Sequence, residues 1–126
     1  GRHNTVPIIE NVLHFTYAEN TGAAFSILRG MQSFLVILTS IGMALIFVYM
    51  VSVKGDGKAL FKLSLALILA GGVGNLIDRL RMGYVVDFID VRLIHFAIFN
   101  VADICISIGV FLLIVDSLFV SKTLMK

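Results

Sequence analysis

The chain has no tryptophan, one proline, one cysteine and few charges: 14% of its 126 residues are Asp, Glu, Lys or Arg. Each shortage excludes something. A soluble domain is about 25% charged and roughly 45–50% apolar, whereas here the apolar share is 59% and the mean hydropathy +1.01. A membrane protein is therefore expected, and its length suits one domain over residues 1–126. The lone Cys105 excludes an internal disulfide and a cysteine-pair metal site. Between Ile104 and Ile106 it reads as a small packed residue. His3, His14 and His95 lack metal-ligand spacing, so neither metal nor cofactor is expected. A net charge of +2 with no basic tract gives no reason to expect nucleic acid. The opening GRHNTVPIIENV has neither an initiator Met nor an apolar run. No signal peptide is expected there, and a trimmed fragment is.

What the chain does have is long apolar runs. Residues 33–53 carry no charge, and about 20 apolar residues span a bilayer. A hydrophilic turn, KGDGK, follows at 54–58, then a second span at 59–78 and a third at 98–120. In the second, Ala70, Gly71, Gly72 and Gly74 offer a small-residue face for a neighbouring helix. The segment 79–97 is too charged to cross. NVLHFTYAEN alternates with period two, and YVVDFIDV has strand composition, so both predict strands. Gly22, Gly30 and Gly83 are turn candidates.

Three spans place residues 1–32 and 79–97 on one side, and the turn 54–58 and the C-terminus on the other. Counting positive charge does not decide which side is which. Lys54, Lys58, Lys62, Lys122 and Lys126 fall with the turn, and Arg2, Arg29, Arg79, Arg81 and Arg92 fall opposite. Arginine suits bidentate pairing with carboxylates and phosphates. The lysines are read as the topological signal, which makes the turn and tail cytoplasmic.

The second span then ends outward in GNLIDR, and the third begins outward in FNVAD. Asn75, Asp78, Arg79, Asp87, Asn100 and Asp103 are all expected near the outer membrane face. A carboxylate deep in lipid costs about 3 kcal/mol even on lenient scales. Two carboxylates sharing a pocket avoid double ionisation by holding one proton between them. An aspartic protease uses that arrangement: one member takes a proton from water, the other donates to the substrate carbonyl. Plainer readings stand beside it. Asp78 can pair with Arg79 or Arg81, Asp90 with Arg92 while facing water, and Asp116 with Lys122 at the inner interface. On the residues alone, an Asp87–Asp103 pair competes with a small membrane carrier that uses Asp103 as a proton or cation site, and with a non-enzymatic scaffold.

ENTGAAFS (19–26), GGVGNLIDR (71–79), VVDFIDV (85–91) and FNVAD (99–103) occur in that order. Together they closely resemble the lipoprotein signal peptidases (signal peptidase II), bacterial intramembrane aspartyl proteases, over about residues 8–120. The resemblance implies a catalytic dyad of Asp87 and Asp103. It implies substrate-binding roles for Asn20, Asn75, Arg79 and Asn100, with Asp78 supporting the arginine. The substrates it implies are diacylglyceryl-modified prolipoproteins, cut just before the lipid-carrying cysteine, and globomycin-type inhibitors would occupy the same site. Glu19 stands where the family often has arginine and is given no role. The implied setting is the bacterial plasma (inner) membrane, multi-pass, in contact with lipid, with the active site on the extracytoplasmic side. The expected fold is an all-α polytopic transmembrane helix bundle, with a small extracytoplasmic β-rich platform from 8–32 and 83–97. The family has a fourth, N-terminal helix. This chain begins where that helix should have ended, and the helix is expected to have been left out.

Overall fold

A computed structural model describes residues 5–22, 30–54, 58–94 and 96–120. The expectations for Arg2, His3, Ala23–Ser26, Arg29, the centre of KGDGK, His95, Lys122 and Lys126 fall outside the described residues. The elements run β1 (Thr5–Ile9), β2 (Leu13–Asn20), α1 (Gln32–Ser52), α2 (Ala59–Met82), β3 (Val85–Val91) and α3 (Val101–Val115), closed by a π-helical turn (Asp116–Val120). They divide into a sheet unit, 1–37 with 76–100, and a helix unit, 38–75 with 101–126.

In the sheet unit, three antiparallel strands lie in the order β1-β2-β3. Asn11, at φ 62°, turns β1 into β2. Asparagine tolerates that left-handed conformation better than most residues. Among the described residues β1 is an edge strand, and it contains the chain's only proline, Pro7, paired with His14. On its far side β3 bridges Phe99. The N–H groups of Phe88 and Ile89 both donate to the Phe99 carbonyl, at 2.9 and 2.8 Å. The β2–β3 register shifts between Phe15 and Ala18. Residues three apart lie on opposite faces of a regular strand, but here the shift falls between Asp87 and Asp90, and both are buried.

The expected strands are therefore present, but "all-α" describes the spans alone. Among the described residues three helices are long and apolar enough to cross a membrane, Gln32–Ser52, Ala59–Met82 and Val101–Phe119, and the chain also forms a small antiparallel sheet. The second helix runs past the expected end at 78 to Met82. Hydropathy falls at Asn75, but nothing breaks the backbone until Gly83. That residue sits at φ 80° and donates its N–H to Arg79 O at 2.9 Å, a left-handed glycine stop. The third helix starts at Val101, not at 98, because Phe99 is engaged by β3.

The helix unit packs through its small residues. A Cβ on Gly109 would lie 2.7 Å from Ser64 O and 2.7 Å from Ile68 Cγ1. A Cβ on Gly71 would strike the Ala102 carbonyl and lie 2.6 Å from Ile106 Cγ1. Gly72 is filled by Met43. The expected small-residue face is thus where α2 meets its neighbours, as close van der Waals packing in lipid requires. Most of the remaining surface of the spans is exposed, with 6%, 22% and 11% of their most apolar windows buried. That suits an apolar solvent.

Candidate active site

Asp87 on β3 is 3% exposed and Asn100, just before α3, is 5% exposed. Asn100 Nδ2 donates to Asp87 Oδ1 at 2.9 Å and to Val86 O at 3.2 Å. Asp78, near the end of α2, accepts the Val86 N–H at 3.2 Å. The peptide groups flanking Val86 are thus held through its N–H and its C=O, and the next side chain is Asp87. Asn100 fixes both the strand and the carboxylate oxygen.

A second set of contacts in the sheet unit holds residues 20–22. Asn20 Oδ1 accepts the Gly22 N–H at 2.8 Å, a side-chain turn typical of asparagine. Arg79 Nη2 donates to Gly22 O at 2.6 Å, and Gln32 Nε2 donates to Thr21 O. Asp78, expected to support Arg79, instead makes its hydrogen bond to the β3 backbone.

In the helix unit, Asn75 Nδ2 lies 3.3 Å from Asp103 Oδ1. Asp103 occupies the first turn of α3, where the helix dipole favours a carboxylate. Both aspartates singled out in the sequence therefore have an asparagine carboxamide as donor: Asn100 for Asp87 and Asn75 for Asp103. Those donors direct a carboxylate oxygen without adding charge. Among the described residues, no group of three or more His, Cys, Asp or Glu could hold a metal ion.

Sequence reasoning missed one polar network. Thr16 Oγ1 donates to Asp90 Oδ2 at 2.7 Å, and Arg92 Nε meets the same oxygen at 3.0 Å. Thr5 Oγ1 lies 2.8 Å from Thr16 Oγ1 and 3.0 Å from His14 Nδ1, and accepts from Arg92 Nη2 at 3.1 Å. The Asp90–Arg92 pair was expected, but as a pair facing water, and Asp90 is 5% exposed. Burial comes from β1 and β2, which cover it. The signal was the period-two pattern of LHFTYAEN: His14 and Thr16 are buried while Phe15 and Tyr17 are exposed. On the exposed side, the Tyr17 hydroxyl lies 3.4 Å from Tyr84 Oη and 3.1 Å from Glu19 Oε1. Tyr84 first, then loss of water and the Glu19 carboxylate, push its pKa above the usual phenol range.

A family model for signal peptidase (SPase) II matches residues 2–119. The chain belongs to the signal peptidase II family. It is a peptidase, and the aspartic class fits the family. A lipoprotein signal peptidase of Trichormus variabilis is 46% identical over 114 residues, 90% of this chain and 72% of that one. One from Streptococcus thermophilus is 49% identical over 115 residues, covering 89% and 72%. One from Halothermothrix orenii is 43% identical over 110 residues, covering 87% and 73%. A solved bacterial membrane enzyme superposes with a TM-score of 0.83 at 34% identity, covering 94% of this chain and 73% of its own. Membership of the signal peptidase II family makes the chain a membrane peptidase and sets the carrier reading aside.

Proposed function

We propose that this membrane peptidase removes signal peptides from diacylglyceryl-modified prolipoproteins, cutting just before the lipid-modified cysteine, with Asp87 and Asp103 as its catalytic dyad. Membership of the signal peptidase II family over residues 2–119 carries the reading. The hydrogen bonds to the two aspartates support the residue assignment.

In this reading one carboxylate accepts a proton from water as the water oxygen attacks the scissile carbonyl. The other, protonated, donates to the carbonyl oxygen. Collapse of the gem-diol breaks the C–N bond, and the leaving amine takes up a proton from the pair. Asn100 and Asn75 hold the carboxylates. Asn20 and Arg79 shape the substrate pocket through the backbone of residues 20–22, and Asp78 acts on Asp87 through the Val86 peptide. The site is on the extracytoplasmic side of the bacterial plasma membrane, where a lipidated cysteine presents its peptide bond with its acyl chains in the bilayer. Globomycin-type inhibitors occupy the same pocket.

The test is prolipoprotein processing in vesicles by the full-length protein. Asp87→Asn and Asp103→Asn are each expected to slow cleavage by at least about a hundredfold, the lower end for loss of a general acid or base. Cleavage within twofold of wild type by either variant would sink the dyad.

A further inference from the structure

Two helix ends hold residues 20–22. Arg79, near the end of α2, donates to Gly22 O at 2.6 Å, and Gln32, the first residue of α1, donates to Thr21 O. Thr21 O also accepts the Gly30 N–H at 3.1 Å, and Gly30, at φ 82°, turns the chain into α1. All of these residues belong to the sheet unit. We propose that Gln32 is a positioning residue of the substrate pocket: its carboxamide fixes the Thr21 carbonyl, and together with Arg79 it gives the backbone of residues 20–22 the shape that binds substrate. The proposal rests on the reading that Asn20 and Arg79 form that pocket.

Stability does not explain this side chain. A carbonyl only accepts, so the NH2 of the Gln32 carboxamide must face Thr21 O, and Oε1 must face elsewhere. That oxygen is buried and has no hydrogen-bond partner among the described residues. Buried polar atoms are nearly always satisfied, and an unsatisfied acceptor costs the full desolvation of the group. Leucine has a similar volume and would carry no such cost. Nor does Gln32 cap its own helix. The first N–H groups of a helix need acceptors, which short Ser, Thr, Asp or Asn side chains supply. The Gln32 oxygen meets none of them, and its amide reaches a carbonyl 11 positions earlier in the chain. A local rule broken without gain in stability is expected where function is served.

What the side chain gains is order in the pocket wall. Two successive carbonyls, those of Thr21 and Gly22, are each tied to a side chain, and the Gly22 N–H is tied to Asn20 Oδ1 at 2.8 Å. Thr21 and Gly22 lie past the end of β2, so no strand ladder holds them. Fixing such a backbone costs conformational entropy. With both carbonyls tied, that cost is met before substrate arrives, and pre-organisation of this kind is felt as affinity. Without Gln32, Thr21 O keeps only the Gly30 N–H among the described residues.

The test is prolipoprotein processing by the full-length protein in vesicles, with kcat and KM measured separately. Gln32→Leu is expected to raise KM about fivefold, the worth of one neutral hydrogen bond. Its kcat should stay within about twofold of wild type, and its melting temperature in detergent should be equal or higher. Hydrogen exchange at the Gly22 and Gly30 amides should quicken. A KM within about twofold of wild type overturns the proposal. So does a KM rise accompanied by a lower melting temperature, which a merely structural residue would give. If Gln32→Leu does not accumulate, Gln32→Glu removes the donor and keeps the length, and an unchanged KM there overturns the proposal. Asn20→Ala and Arg79→Lys test the layer beneath: an unchanged KM in both refutes the pocket reading and the proposal with it. Failure of wild type to cut the substrate refutes the peptidase reading itself.

Discussion

Removing the carboxamide of Asn100 tests how the site is held. Asn100→Ala deletes the donor to Asp87 Oδ1 at 2.9 Å and the donor to Val86 O at 3.2 Å. Hydrogen bonds to charged groups are worth about 1.5–3 kcal/mol and neutral ones about 1 kcal/mol. The first acts on the carboxylate and the second on the fold. At about 1.4 kcal/mol per factor of ten, kcat/KM should fall about ten- to a hundredfold while stability falls by about 1 kcal/mol. Asn100→Asp keeps the shape but places a second carboxylate against buried Asp87, and should fall below the alanine variant. In an Asp87→Asn background the alanine substitution should cost no further activity, since the two act as one unit. Processing kinetics in vesicles measure the rate, and thermal unfolding in detergent measures the stability. A kcat/KM within twofold of wild type, or a rate loss matched by loss of folded protein, refutes the reasoning.

Gly109→Ala drives a Cβ to 2.7 Å from the Ser64 carbonyl and should destabilise the helix unit by about 1–3 kcal/mol, the usual overpacking penalty, read as a lower melting temperature in detergent. Thr16→Val keeps the shape but removes the donor 2.7 Å from Asp90. It should cost about 2 kcal/mol, with faster hydrogen exchange along β2 as the local readout.

The spans were legible because length and hydropathy alone define what crosses a bilayer; their ends were not. Hydropathy drops at Asn75, where α2 leaves the apolar region, but its backbone continues to Gly83, so the hydrophobic and hydrogen-bonded boundaries differ. The start of α3 depended on Phe99 bridging Ile89, a contact no local pattern announces. For β2 the period was right, but the buried face carries His14 and Thr16, which find polar partners there in Thr5 and Asp90. The Asp90–Arg92 pair is local and was readable. Its burial depends on Thr16, 74 positions away. Asp87 and Asp103 stood out as carboxylates in apolar context. The clamp on Val86 did not, since it joins Asp78, Val86 and Asn100 from two helix ends and a strand.

The chain's only proline, Pro7, sits within β1, an edge strand of the sheet among the described residues. An unpaired edge offers a row of N–H and C=O groups on which a second chain can add a strand. Val6, Ile8 and Ile9 are exposed beside it, which makes that edge attractive to another copy. Molecules confined to a membrane plane meet in two dimensions with their edges at a common height, so encounters of this kind are frequent. Proline has no N–H to contribute and is confined to edges and bulges. At Pro7 the strand has one N–H fewer to offer, which makes β1 a poorer template for a strand from a neighbouring copy.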